Sequence, residues 1–240
     1  MKNCEIYSQL KTPRGSQIIL RLDGRGFHTL TQQLELQKPY DKNFTKAMVQ
    51  TSKEIFQEFA PQFIYTFSDE INILLKTIPF DGRIEKLNST FASFTASSLH
   101  IKLNNKKIKK PISFDSRIIP LSQEMITPYF KTRQDEAWRN CLNGYAYWTL
   151  RKTLPQKKAI KKLNGLKSPQ IHDLLFENNI HINKIPLWQR RGIGIYKKTQ
   201  TIEGYNPKTK TKTQSQRKKT YTDKKLELFT PEFFQKKDIL

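Results

Sequence analysis

The stretch Ile18-Ile19-Leu20-Arg21-Leu22-Asp23-Gly24-Arg25-Gly26-Phe27 decides how the chain is read, together with Ile64-Tyr65-Thr66-Phe67-Ser68-Asp69-Glu70. Each is a short apolar run that ends on a carboxylate. A run of four or five apolar residues predicts a buried strand, so Asp23 and Asp69 fall at the rim of a rigid scaffold. In a chain of formal net charge +22 at pH 7, carboxylates at such a rim point to magnesium ligation rather than general surface acidity. Hard oxygen ligands from two strands, sharing ions with a nucleotide's phosphates, are what phosphoryl or nucleotidyl transfer requires. Taken singly, Asp23 also reads as a turn cap and Asp69 as the opening of a hairpin.

Outward from these turns, Phe44, Ala47, Met48, Thr51, Ile55 and Phe59 recur on one helical face, and Pro61 ends that helix. Ile64–Phe67 and Ile71–Leu75 predict two strands hinged at Ser68-Asp69-Glu70. Ile84 to Leu99 predicts a second helix, and Ile112–Phe114 a short strand followed by Asp115-Ser116-Arg117. The order β-α-β-β-α-β predicts an α+β fold: a ferredoxin-like, polymerase-palm-like antiparallel sheet with helices packed on one face. Nucleotide cyclases share that core, and a fold alone does not establish function.

Tyr129 to Leu150 predicts a long helix. Ser168-Pro169 opens another, with Ser168 as N-cap and Pro169 at the first helical position, running to about Asn179. Gly192–Tyr196 predicts a final strand. From Lys197 to Thr220 the chain turns basic and repetitive, with Lys208-Thr209-Lys210-Thr211-Lys212 and Arg217-Lys218-Lys219. This segment reads as a flexible β-hairpin arm or a loop, either a solvated charge run or an RNA contact. Phe229, Phe233 and Phe234 are placed to dock the C-terminal extension back on the body. The expected organisation is a palm core over 1–128, a helical fingers-like part over 129–196 completing the same domain, and a basic arm and tail over 197–240.

Composition narrows the partners. The chain's 240 residues can bury one good core, and 36% hydrophobic residues rule out wholesale disorder. The excess of 43 Lys+Arg over 21 Asp+Glu is the footprint of a polyanion partner. No apolar run approaches the roughly 20 residues of a membrane span, and Met1-Lys2-Asn3-Cys4-Glu5-Ile6 lacks the apolar centre of a secretory signal. Cys4 and Cys141 offer neither a disulfide framework nor zinc spacing, which suits a reducing compartment, the cytoplasm or an organelle matrix. The four histidines are scattered without a metal-ligand pattern.

A two-metal nucleotidyl transfer needs two carboxylates that bridge the ions, and Asp23 and Asp69 serve if their strands are adjacent. Backbone at Gly24 and Gly26 can approach phosphate oxygens closely because no side chain intervenes. Lys38, Asp41, Arg83 and Lys86 follow the acidic turns. Arg83 and Lys86 are three apart at a helix start, where the dipole also favours phosphate.

These residues resemble a known family. Arg21-Leu22-Asp23-Gly24-Arg25-Gly26-Phe27-His28, Phe67-Ser68-Asp69-Glu70, Phe114-Asp115-Ser116-Arg117 and Arg133-Gln134 are similar in type and order to the tRNA(His) guanylyltransferase superfamily. Its members are reverse-direction (3′–5′) RNA nucleotidyltransferases. The resemblance covers roughly residues 5 to 200. It implies a polymerase-like palm, usually in a homotetramer, with ATP and GTP as substrates, two Mg²⁺ per site and tRNA as partner. It implies that Asp23, the Gly24 carbonyl and Asp69 bind the metals, with Glu70 supporting them. Gly24, Arg25, Gly26, Phe27, His28, Lys38, Asp41, Ser68, Asp69, Arg83 and Lys86 match positions lining the nucleotide. Arg117, Arg133 and Asn140 match contacts to a second triphosphate or the RNA 5′ end, and Arg190, Arg191, Lys218 and Lys219 are expected on RNA.

The mechanism so implied activates a 5′-monophosphorylated tRNA with ATP. The 3′-hydroxyl of GTP then attacks the activated phosphate, and pyrophosphate is removed. One departure bears on substrate. Eukaryotic members carry a histidine, used to recognise the tRNA(His) anticodon, where this chain has Trp138 in Trp138-Arg139-Asn140-Cys141-Leu142. With Trp188-Gln189-Arg190-Arg191-Gly192, this looks like the archaeal and bacterial guanylyltransferase-like branch, which adds nucleotides opposite a template and repairs truncated tRNA 5′ ends. Two other classes stand against this reading. A palm-type nucleotide cyclase would not need a charge of +22, and a catalytically silent RNA-binding protein would not need Asp23.

Overall fold

A computed structural model describes residues 4–206 and 211–240. In chain order the elements are β1 (Gln17–Gly24), α1 (Phe27–Gln33), α2 (Lys42–Phe59), β2 (Phe63–Phe67), β3 (Glu70–Leu74) and α3 (Ile84–Leu103). There follow β4 (Phe114–Leu121), α4 (Ile126–Leu150), α5 (Gln156–Leu163), α6 (Ser168–Glu177), α7 (Leu187–Arg191), β5 (Ile193–Asn206), β6 (Thr211–Asp223) and α8 (Pro231–Lys236). The strands form one sheet in the order β4-β1-β3-β2-β5-β6, antiparallel throughout.

Alternation along β1 sorts its side chains between two apolar layers. Ile18, Leu20 and Leu22 meet Phe44, Met48 and Ile55 of α2 and Leu87, Phe91 and Leu99 of α3. These are the palm helices, packed together on one face as expected. Ile19 points the other way, into a layer with Phe63, Tyr65, Leu74, Ile126 and Phe130 of α4, and Phe229, Phe233 and Phe234 of the tail. The second face is thus closed by α4 and the C-terminal extension, and the tail docks through the three phenylalanines the sequence singles out. A third apolar cluster joins the far half of α4 (Cys141, Leu142, Ala146, Leu150) to α5 and α6.

Some boundaries differ from expectation. The strand expected at Ile112–Phe114 is β4, and it begins at Phe114, so Asp115, Ser116 and Arg117 are strand residues paired with β1 rather than a turn after it. The N-cap of α6 is Lys167, not Ser168; Gln170 Oε1 accepts from the Lys167 N–H at 2.8 Å. The final strand continues ten residues beyond Tyr196. Between the two alternatives of hairpin and loop, the basic segment is a hairpin of β5 and β6, while Lys208, Thr209 and Lys210 lie outside the described residues.

Candidate active site

The register of the sheet assembles the site. Asp23 near the end of β1 pairs with Glu70 at the start of β3 on one side and with Asp115 of β4 on the other. Directly paired residues share a face, so Asp115, Asp23 and Glu70 form an acidic row across three strands. Two residues back, Arg21 pairs with Arg117 and Asn72, which sets a basic row beside the acidic one. Both rows share a face with Ile19, past the region that the tail covers. Asp115 and Arg21 are thus parts of the site that sequence reasoning did not assign; their signal lay in the period-two alternation of β1 and β4, and only the register reveals it.

The turn between β2 and β3 brings Asp69 to this row. Ser68 takes a left-handed φ of 52°, and its hydroxyl donates to Asp69 Oδ1 at 2.9 Å. Burial pushes the Asp69 carboxyl above the usual carboxylate range; Ser68 opposes this, and the negative charges of Asp23 and Glu70 reinforce it. A buried carboxyl that neighbouring negative charges raise further favours a divalent cation beside it. Gly24 follows Asp23, and a side chain there would collide with the Phe27 ring, so the backbone stays bare where a carbonyl ligand is wanted. Among the described residues, no group of three or more His, Cys, Asp or Glu side chains makes a metal cage by itself. Two carboxylates and a carbonyl, completed by substrate phosphates and water, are the donor set that magnesium takes.

Glu70 is held differently. It accepts from Arg133 Nε at 2.8 Å and Arg133 Nη2 at 2.6 Å, a bidentate pair. Asn72 Nδ2 donates to Glu70 Oε1 at 2.7 Å, and the Tyr129 hydroxyl donates to Asn72 Oδ1 at 2.6 Å. The Arg133 guanidinium also lies 5.6 Å from the Phe67 ring centroid. Two of its donors are therefore engaged by Glu70, and α4 is tied to the start of β3. Arg117 remains half exposed, with Nε 3.5 Å from Asp115 Oδ1.

A cleft opens beside Ser68, lined by Lys38, Tyr40, Asp41, Phe44, Phe67 and Trp188. It gathers Lys38, Asp41 and Ser68. Partial burial lowers the Lys38 ammonium from its ordinary value against the pull of Asp41, and its Nζ lies 5.8 Å from the Trp148 ring. Asp41 is the N-cap of α2: Oδ1 accepts from the Phe44 N–H at 2.8 Å and Oδ2 from the Gln37 N–H at 3.1 Å. It shapes the cleft by fixing the start of α2. Arg25, Gly26 and His28 are exposed at the β1–α1 turn, and Phe27 is a core residue.

Arg83 and Lys86 stand apart from this group. β3 runs away from Glu70 before α3 begins, and its end meets the start of β1, with the Leu75 N–H donating to the Ile18 carbonyl. Arg83 there bridges to Lys11 and donates to the Phe80 carbonyl at 3.3 Å. Arg190 and Arg191 are occupied by backbone carbonyls, Arg190 Nε with Ile185 at 2.9 Å and Arg191 Nη1 with Leu226 at 3.0 Å. Lys218 pairs with Asp238, whereas Lys219 is free of any ion pair that the described residues supply. Asn140 is exposed on α4, and Trp138 packs against His172 with ring centroids 5.9 Å apart.

Residues 1–122 match the tRNAHis guanylyltransferase family and residues 124–232 the Thg1 C terminal domain. A probable tRNA(His) guanylyltransferase of Dictyostelium discoideum is 31% identical over 193 residues, which cover 75% of each chain. The tRNA(His) guanylyltransferase of Debaryomyces hansenii is 33% identical over 172 residues, 67% of this chain and 65% of that one. Among solved structures, a bacterial tRNA(His) guanylyltransferase-like protein in complex with ATP matches with a TM-score of 0.78 at 26% identity, covering 100% of this chain and 96% of that one. An acidic row at the rim of a palm sheet, a cleft beside it and these matches along the chain lead to one assignment: it belongs to the tRNA(His) guanylyltransferase family.

Proposed function

We propose that the protein is a 3′–5′ nucleotidyltransferase that adds nucleotides to the 5′ end of tRNA. The observation that carries this reading is the acidic row Asp115–Asp23–Glu70 lying beside the basic row Arg117–Arg21, in a member of this family. Asp23, Asp69 and the Gly24 carbonyl would hold two Mg²⁺. When bound, the ions supply charge neutralisation at the phosphates and a lowered pKa for the attacking hydroxyl.

The chain's own residues do the rest. Lys38, in the cleft beside Ser68, sets a cation against nucleotide phosphate, and Arg21 and Arg117 supply fixed positive charge where the RNA 5′ phosphate and a second triphosphate meet the sheet. Arg133 holds Glu70 and so fixes the turn that carries Asp69. The 3′-hydroxyl of the incoming nucleotide attacks the adenylylated 5′ phosphate; the new phosphodiester forms as AMP departs, and the added residue keeps its own 5′ triphosphate until pyrophosphate is removed. Trp138 in the anticodon-reading position favours templated addition. The same reading takes in the homotetramer, a reducing compartment and the palm, fingers and arm divisions at 1–128, 129–196 and 197–240.

The test offers tRNA transcripts lacking their first 5′ nucleotide, each with a different opposing base, together with ATP and labelled triphosphates. Addition that follows the opposing base supports templated repair; G added only to tRNA(His) would establish identity-specific guanylylation instead. A labelled cyclic nucleotide formed without RNA, or full addition by Asp23→Ala, would overturn the proposal.

A further inference from the structure

Gln134 is the half of the Arg133-Gln134 pair to which the acidic and basic rows give no task. It is 2% exposed and shares the inward face of α4 with Phe130 and Ala137, four and three residues away. A buried primary amide carries donors and an acceptor that all need partners. It finds them on three other parts of the chain. Gln134 Oε1 accepts from the Phe229 N–H at 2.9 Å. Its Nε2 donates to the Glu227 carbonyl at 3.1 Å and reaches the Arg191 carbonyl at 3.5 Å. That carbonyl also accepts from Tyr65 Oη, and the Arg191 guanidinium returns to the tail through the Leu226 carbonyl. One side chain thus joins α4 to the end of α7, to β2 and to the segment Leu226–Phe229. The C-terminal extension is held here by its backbone, in addition to its phenylalanines. An apolar side chain of the same length would fill the space but leave a buried carbonyl and N–H unpaired.

This junction stands directly behind the acidic turn. Tyr65 pairs with Asn72 across β2 and β3, and its ring centroid lies 5.5 Å from that of Phe67, the residue before Ser68. The Phe67 ring in turn lies against the Arg133 guanidinium. Successive residues of a helix point about 100° apart, so Arg133 and Gln134 leave one turn of α4 for different surfaces. Arg133 goes to Glu70 and Gln134 to the tail. A slide or rotation of α4 displaces both. The bonds to Glu70 fix Arg133 at its tip, and the bonds to the tail fix the helix from which it projects.

We infer that Gln134 is a positioning residue for nucleotidyl transfer: its hold on Glu227, Phe229 and Arg191 makes the docked C-terminal extension part of the frame that keeps Arg133 on Glu70, and with it the Asp69 turn. This rests on the proposed function. Gln134 touches no reacting atom, and its effect passes through Arg133. Lys38 and Asp41 of the nucleotide cleft belong to the start of α2, which has its own N-cap bonds. The frame therefore governs the rate of the reacting step rather than the affinity for ATP. Carboxylates that share metal ions tolerate little displacement, since a misplacement of about 1 Å can cost 10²-fold in rate.

The test measures the single-turnover rate of nucleotide addition, with ATP and tRNA affinities, in Gln134→Met and Gln134→Glu. Met keeps the length and loses the amide's hydrogen bonds; Glu keeps an acceptor for the Phe229 N–H and loses the donor. Leu175→Ala, a cavity in the third apolar cluster, controls for lost stability. The rate is expected to fall by about 10–10²-fold in Gln134→Met and by less in Gln134→Glu, with both affinities unchanged. Leu175→Ala, assayed well below its melting temperature, keeps the parent rate. In an Arg133→Met background, Gln134→Met should slow the reaction little further, because the two act through one contact. Should Gln134→Met fail to fold, Gln134→Glu carries the same comparisons. A parent-like rate in the Gln134 variants, a loss matched by Leu175→Ala, a loss of affinity in place of rate, or a loss that multiplies in full with that of Arg133→Met would overturn the inference. A parent protein that adds no nucleotide to any tRNA would instead count against the proposed function.

Discussion

Burial, reinforced by the charges of Asp23 and Glu70, raises the Asp69 carboxyl above the usual carboxylate range. The fold then favours the protonated form, so the stabilising contribution is complete below about pH 3.9, the unfolded value, and is lost as pH rises through the raised one. In metal-free protein at neutral pH, Asp69→Asn is therefore expected to melt above the parent, an advantage that vanishes below about pH 4. The same variant should lose nucleotide addition by a factor on the order of 10²–10³ while binding tRNA. Thermal melts against pH and single-turnover addition assays check the two halves, and a variant less stable than the parent at neutral pH would contradict the charge assignment. The rim positions of Asp23 and Asp69 were legible because a carboxylate closing an apolar run has few places to go. The register partner Asp115 and the engagement of Arg133 by Glu70 were not, since both depend on which strands and helices meet.

Two junctions between elements carry more than their length suggests. Arg133 and Glu70 are mostly buried, with side chains 15% and 10% exposed, and they join α4 to β3 through two hydrogen bonds. Arg133→Met leaves a buried carboxylate without its cation, at a cost of about 3–5 kcal/mol. Adding Glu70→Gln should recover part of it, which a denaturant-based double-mutant cycle would read directly; simple additivity would mean the pair is not coupled. At the α7–β5 junction, Gly192 has φ 73° and ψ −165°, and a Cβ there would lie 2.5 Å from the Tyr65 ring. Gly192→Ala is expected to cost at least ~1–3 kcal/mol in backbone strain alone, and to disturb the hydrogen bond that Tyr65 Oη donates to the Arg191 carbonyl at 3.0 Å. The apolar face of α2 made it legible to within two residues at each end, whereas α3 runs four residues past the expected Leu99 and α4 begins three before the expected Tyr129. β6 and most of β5 were legible only as one of two alternatives, hairpin or loop, because Thr211–Asp223 and the chain beyond Tyr196 alternate between polar residues and give period two no apolar signal.

At the scale of the whole molecule, charge and tail act together. The second face of the sheet could not be read from the motifs, because α4 and Phe229, Phe233 and Phe234 reach it from distant parts of the chain. That layer leaves the acidic and basic rows open at one end of the face and the β5–β6 hairpin at the other. A net charge of +22 is expected to make counterion release the dominant part of RNA affinity. If six or more phosphates are neutralised, the tRNA association constant should fall by a factor on the order of 10³ between 50 and 200 mM salt. ATP, for which the proposed site beside Ser68 offers few cations, should lose much less over the same range. Titrations of both ligands in one salt series measure the contrast. Parallel slopes would mean that RNA touches the protein only at the nucleotide cleft, leaving the excess of 43 Lys+Arg over 21 Asp+Glu without a binding role. A steep slope for tRNA beside a shallow one for ATP would locate that excess on the RNA body, beyond the reacting phosphates.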